Sequence, residues 1–250
     1  MTQFFAKDWA GEAFILFGPA HLLALGVVVL INVLIIVFRR RFSERGRRIF
    51  RYSLAALLVF DELMWHWWNY SIGQWTIQTM LPLHLCSVLV FVSAYMLVTR
   101  NYRIYEFAYF LGIAGAIQAL LTPDAGQYGF PHFRAFQVMV SHGAIVTSAI
   151  YMTFVEGFRP YWRSFWRVAI GANLYMLFVM LVNRLLGSNY LFIAHKPDTA
   201  SLIEVLGPHP WYILSLEALG LTLCLLLYLP YAIKDRRERG RLSPAAGEGG

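Results

Sequence analysis

Apolar runs of about 20 residues, parted by short polar or basic connections, recur along the whole chain. Each is long enough to cross a bilayer as a helix. Seven are expected, running roughly 19–38, 49–70, 81–99, 104–121, 135–156, 165–186 and 211–233. The pattern predicts an all-α fold, a polytopic membrane bundle of seven transmembrane helices. Residues 1–18 form an external N-terminal segment, 19–233 the transmembrane domain, and 234–250 a basic, disordered cytoplasmic tail. Pro82 is expected in the first turn of the third span, and Asp198 or Thr199 is placed to cap a short surface helix. The first residues lack the basic and apolar regions of a cleavable signal peptide.

One run breaks the apolar pattern. "FDELMWHWWNY", residues 60–70, sets Asp61, Glu62 and His66 into the second span. Ionisable groups at mid-span cost about 2.5–3.5 kcal/mol on insertion scales, so they are expected to face the bundle interior. At about 100° per residue, Glu62, His66 and Asn69 share one stripe, while Asp61 points elsewhere.

Charge fixes the expected orientation. Seventeen of the 21 Lys and Arg fall in alternate connections and the tail, whereas the other side holds Lys7, Arg134 and Lys196, with Arg184 at its edge. The positive-inside rule then puts the N-terminus outside and the C-terminus in the cytoplasm. That arrangement accounts for the net charge of +7 without a nucleic-acid partner. With 58% hydrophobic and 14% charged residues, a soluble domain is excluded. Cys86 and Cys224 fall near opposite membrane faces, which disfavours a disulfide. No signature of oligomeric state is present.

Polar groups recur at one depth. In the outer half stand His21, His84, Cys86, Gln118, His142, Asn183, Arg184 and Glu217 beside the stripe of the second span, and the cytoplasmic half reads as more apolar. A polar cavity in the outer half of the bundle would let these groups bond one another and water. On one helix, His84 and Cys86 would lie about 200° apart, so a base for Cys86 would come from another span.

Three segments, "LPLHLCS" at 81–87, "TPDAGQYGFPHFRAFQVMVSHGAI" at 122–145 and "NYLFIAHKPDTASLIEVLGPHPWYILSLE" at 189–217, resemble the YwaF-like family of bacterial integral membrane proteins. That family is distantly similar to eukaryotic transmembrane protein 164, implicated in phospholipid acyl transfer, and to membrane hydrolases of fatty-acid esters. The resemblance implies a nucleophile and a histidine within the membrane. By motif position the histidines are His84 and His142. A cysteine directly before the first histidine would fall at Leu83, and Cys86 stands displaced from it.

Two classes of function compete on these residues. The first is a lipid acyltransferase or lipid-ester hydrolase of the bacterial inner membrane. It would use His84, His142, Cys86, Glu62 and His66 at the reaction centre, with Gln118, Asn183, Arg184, Glu217 and Asn69 around the substrate, a membrane phospholipid. No cofactor is implied. The second is a proton-coupled transporter or small-molecule permease. A metal or haem site drawn from His21, His66, His84, His142 and His209 is a further alternative, although no pair has a tight ligand spacing. A retinal protein is disfavoured, because the last span has no mid-membrane lysine.

Overall fold

Capping side chains set the starts of three of the long helices. The computed structural model describes residues 3–196 and 206–242. Among them are seven long helices: α1 (Pro19–Val37), α2 (Glu44–Ser71), α3 (Leu85–Thr99), α4 (Tyr102–Leu121), α5 (Phe133–Phe154), α6 (Trp162–Leu186) and α7 (Trp211–Leu242). Pro19 opens α1, where a missing N–H costs nothing. Ser43 Oγ accepts from Gly46 N at 3.1 Å to start α2. Asn101 Oδ1 accepts from Arg103 N at 2.9 Å and Ile104 N at 3.2 Å to start α4. Here the capping side chain takes orphan donors of the first turn. Residues Ala108–Gly112 make a π-helical stretch inside α4.

α5 is the central helix. It packs against α1, α2, α3 and α4, and its Ile145, Ala149, Tyr151 and Met152 are fully buried. Gly143 makes the α1 crossing possible, because a Cβ there would sit 2.9 Å from Val28 Cγ2. Asn32 Nδ2 ties the same two helices by donating to Thr147 Oγ1 at 3.1 Å. The outward faces of α1, α6 and α7 are apolar, with Leu23, Val29, Ile170, Leu174 and Leu226 exposed. A surface of that kind suits lipid and not water. Five helices, α1, α4, α5, α6 and α7, are long and apolar enough to cross a membrane by length and composition. α3 is apolar but shorter, at 15 residues. The 28 residues of α2 carry a basic first half and Asp61 and Glu62.

The N-terminal segment is tied across the end of the bundle where α5 begins. Trp68 Nε1 donates to Phe5 O at 3.0 Å, Tyr128 OH to Lys7 O at 3.1 Å, and Gly129 N to Glu12 O at 3.2 Å. Gly129 is required there: a Cβ would stand 2.5 Å from that same Glu12 oxygen.

Three expectations need correction. Residues 81–84 are turns, and α3 begins only at Leu85 with His84 as its N-cap. Pro82 therefore opens no helix, and the helical angle between His84 and Cys86 does not apply. The last helix does not stop near 233 but continues through the basic residues to Leu242, where Lys234 and Glu238 pair one turn apart at 3.9 Å. Residues 243–250, Asp198 and Thr199 lie outside the described residues.

The third correction concerns the end opposite the N-terminal segment, which is not simply apolar. Glu156 is clamped between Arg100, at 2.9 Å, and Arg51, at 3.5 Å. Fully buried Glu106 accepts from Ser164 and Arg167. Arg159 pairs with Asp235 at 2.5 Å. The spacing of single residues gave no sign of these pairs, because each joins residues far apart in the chain.

Candidate functional site

A cavity of about 900 Å³ runs between α3, α4, α5, α6 and α7, with α2 contributing at one end. α5 supplies Arg134, Gln137, Val138, Ser141 and His142, which repeat at i, i+3, i+4, i+7 and i+8 and so form one helical face. α7 supplies Ile213, Leu216, Glu217, Gly220, Leu221 and Cys224 with the same spacing, a length of about 16 Å at 1.5 Å per residue. The two ends of the cavity differ in chemistry. Glu62, Trp65, His84, Cys86, Arg134, Gln137 and His142 gather at the end near the N-terminal segment, whereas Ile104, Phe107, Leu111, Phe165, Val168 and Leu221 line the deeper part.

His142 is held in one tautomer. Its Nδ1 lies 2.7 Å from the carbonyl oxygen of Val138. A carbonyl only accepts, so Nδ1 carries the proton and Nε2 of the neutral ring keeps its lone pair. His84 reaches the same cavity from the turn before α3. Its ring packs edge-on against Tyr190 and tilted against Phe192, at centroid distances of 5.2 and 5.0 Å. Cys86 is a free thiol in the first turn of α3, and Cys224 lies free and buried deeper in the same cavity.

α2 brings two carboxylates. Glu62 is buried in the cavity wall with Oε1 3.6 Å from His66 Nε2. His66 stands behind it, outside the wall, and accepts at Nδ1 from Trp75 Nε1 at 3.0 Å. Asp61 turns toward α5, where Gln137 Nε2 donates to its Oδ2 at 3.0 Å. Asn69 is buried but spends its amide on the Trp65 carbonyl at 2.9 Å, one turn back.

Of the other sequence candidates, Glu217 lies in the cavity. It accepts from Asn173 Nδ2 at 2.8 Å. Gln118, Asn183 and Arg184 stand away from the wall. Asn183 is committed to the turn after α6, donating to Tyr190 O at 2.9 Å and accepting from Ser188 Oγ and Tyr190 N at 2.9 and 2.8 Å. Arg184 lines a separate shallow depression with Leu177, Leu181 and Ile193. His21 has both ring nitrogens engaged, with Phe17 N at 3.0 Å and Leu120 O at 2.8 Å, so it staples α1 to α4. Among the described residues no group of three or more His, Cys, Asp or Glu is arranged to hold a metal ion.

Sequence reasoning missed Arg134, Gln137 and Ser141. In the chain Arg134 reads only as an outer-loop charge. The signal that could have found all three is their register with His142 on one face of α5.

The sequence model of the TMEM164 family matches residues 16–228, which contain all of these groups. The chain belongs to the TMEM164 family. It is thus a multi-pass membrane protein of that family, and it is also similar to an uncharacterized protein of Treponema pallidum (strain Nichols). The two are 24% identical over 227 residues, covering 87% of this chain and 90% of the relative. No solved structure matches the chain.

Proposed function

We propose that this TMEM164-family chain is a lipid acyltransferase or lipid-ester hydrolase of the bacterial inner membrane, acting in the cavity between α3 and α7. The observation that carries the reading is one cavity with a histidine and thiol end and an apolar depth. An ester lipid is matched by that division: its acyl chain lies among Ile104, Phe107, Phe165 and Leu221, and its ester stays beside His84, Cys86 and His142.

The chemistry is acyl transfer. His142 Nε2 takes the proton from the Cys86 thiol, or from a water, as the nucleophile attacks the ester carbonyl carbon. The carbon–oxygen bond to the lipid alcohol breaks, and the alcohol leaves with the proton returned by the imidazolium. If Cys86 attacks, a thioester forms, and an acceptor alcohol or water then takes the acyl group and restores the thiol. Glu62, with His66 behind it, offsets positive charge as the imidazole protonates. Glu217 and Asn173 offer a polar contact farther along the substrate.

All seven helices cross the membrane in this reading, N-terminus outside and C-terminus in the cytoplasm. The alternation of basic connections supports it. α2 then passes its basic first half through the inner headgroup region, and the turn at 81–84 makes up for the shortness of α3. The reactive end of the cavity opens at the outer leaflet.

Purified protein in lipid nanodiscs, given a phospholipid labelled in its acyl chain and a lysolipid acceptor, is expected to release labelled fatty acid or acylated acceptor. Absence of both products contradicts the proposal.

A further inference from the structure

We propose that Arg134 is the specificity residue of this cavity, recognising the phosphate of a lipid headgroup while the ester lies deeper beside His142. The assignment rests on the lipid-enzyme reading and adds to it the part of the substrate that is read.

Arg134 is the only lysine or arginine among the described residues that line the cavity. Its side chain is 14% exposed and is held from two sides. The guanidinium lies over the Trp65 ring, 4.0 Å from its centroid. Its Nη1 donates to Gln137 Oε1 at 2.5 Å and its Nη2 to the Asp124 carbonyl oxygen at 2.6 Å. Both acceptors are neutral amide oxygens. A guanidinium carries more donors than these two bonds use, so the group is oriented and still has N–H to give.

None of the nearby carboxylates makes a close pair with it. The Asp124 carboxylate is 3.9 Å away, and its side chain is 73% exposed. A pair of that kind is weak and readily exchanged. Asp61 is bonded by Gln137, and Glu62 faces His66. Glu62 opposes an anion in the same wall, and the neutral His66 ring, which accepts at Nδ1 from Trp75, only turns its Nε2 toward that carboxylate at 3.6 Å.

A planar fork of donors held on an aromatic face matches the oxygens of a phosphate in two-point contact. Position along the helix fits as well. Arg134 is two turns before His142, about 12 Å at 1.5 Å per residue, on the same face of α5. A group bound at Arg134 is therefore set off from the His142 imidazole, as a headgroup phosphate is set off from an acyl ester.

The test measures binding and turnover for a lysophospholipid and for the monoacylglycerol of the same chain. Both are offered to wild type, Arg134→Gln and Arg134→Lys. Wild type is expected to bind the phosphate-bearing lipid about tenfold to a hundredfold more tightly, the worth of charged hydrogen bonds. Arg134→Gln should bring the two affinities together by weakening only the lysophospholipid, and Arg134→Lys should retain part of the difference.

Equal affinities in wild type overturn the assignment, and this comparison needs no variant to fold. An equal loss on both lipids in Arg134→Gln also overturns it, because that marks a role at the ester or in the fold. Inorganic phosphate alone should not displace the lysophospholipid, since the apolar wall holds the chain; displacement would overturn the lipid as its source. Selective binding without turnover removes the enzymatic reading and keeps this assignment, whereas turnover without selectivity does the reverse.

Discussion

Gln137 bridges two charged residues of opposite sign. Its Nε2 donates to Asp61 Oδ2 at 3.0 Å, and its Oε1 accepts from Arg134 Nη1 at 2.5 Å. One amide therefore joins α2 to α5 and fixes the guanidinium above Trp65. Gln137→Leu keeps the bulk but leaves the buried Asp61 carboxylate without this donor. A loss of about 1–3 kcal/mol is expected, the cost of an orphaned buried polar group. Asp61→Asn retains an acceptor oxygen and should lose less. Equilibrium unfolding in detergent micelles distinguishes the two, and equal losses would contradict the bridge.

The Glu156 clamp makes a second prediction. The Glu156 side chain is 2% exposed between Arg51 and Arg100. Glu156→Ala strands a buried guanidinium and should cost about 3–5 kcal/mol. Glu238→Ala breaks the exposed pair with Lys234, whose partners are 65% and 56% exposed. That change should cost between 0 and about 1 kcal/mol. Thermal melts of both variants check the contrast.

Topology is the third. Reporter fusions at Gly240 and Gln74 are expected to read cytoplasmic and external respectively. The basis is the alternation of basic connections, which places Arg39 to Arg51 and the tail on one side. The reverse readout would overturn the orientation and move the reactive end of the cavity to the inner leaflet.

Acidity should loosen the end of the bundle that the N-terminal segment covers. His132 Nδ1 accepts the Arg134 backbone N–H at 3.0 Å, which caps α5, while Nε2 lies 3.0 Å from the Ala6 carbonyl. Burial lowers the pKa of this imidazole below its ordinary 6.5, and the bond to Ala6 offsets only part of that. A second proton would occupy the nitrogen that accepts the cap. The unfolded state then binds protons more readily than the folded one. Its contribution to stability is present above pH 6.5 and is lost as pH falls toward the depressed folded value. Melting curves between pH 7.5 and 5 should show this fall, and His132→Asn should show a smaller one.

Helix content was legible because hydropathy and caps work locally. Pro19 and Trp211 start the first and last long helices where the apolar runs begin, and α4 and α6 end at Leu121 and Leu186 as expected. The start of α3 is not legible in the chain, because Pro82 resembles a helix-opening proline, whereas residues 81–84 turn before His84 caps the helix. Continuation of α7 was hidden by the polarity that begins at Lys234, where Lys234 pairs with Glu238 and Asp235 with Arg159. His84, Cys86, Glu62, His142 and Glu217 were visible as polar groups at one depth, and the cavity wall contains all five. Gln118, Asn183 and Arg184 share that depth, but the rotation of their helices and a local turn take them away from the cavity. Depth is readable from a chain, but rotation about each helix axis depends on neighbours. For the same reason Glu106 went unnoticed until Arg167 stood beside it.

His84 and His142 are proposed to serve one reaction on a lipid ester. The most direct test is turnover of acyl-labelled phospholipid by wild type, His84→Ala and His142→Ala in nanodiscs, with a thermal melt of each. Wild type should form acylated acceptor or free fatty acid, and each variant should lose that activity while melting near the wild-type temperature. Full activity in both variants would contradict the account.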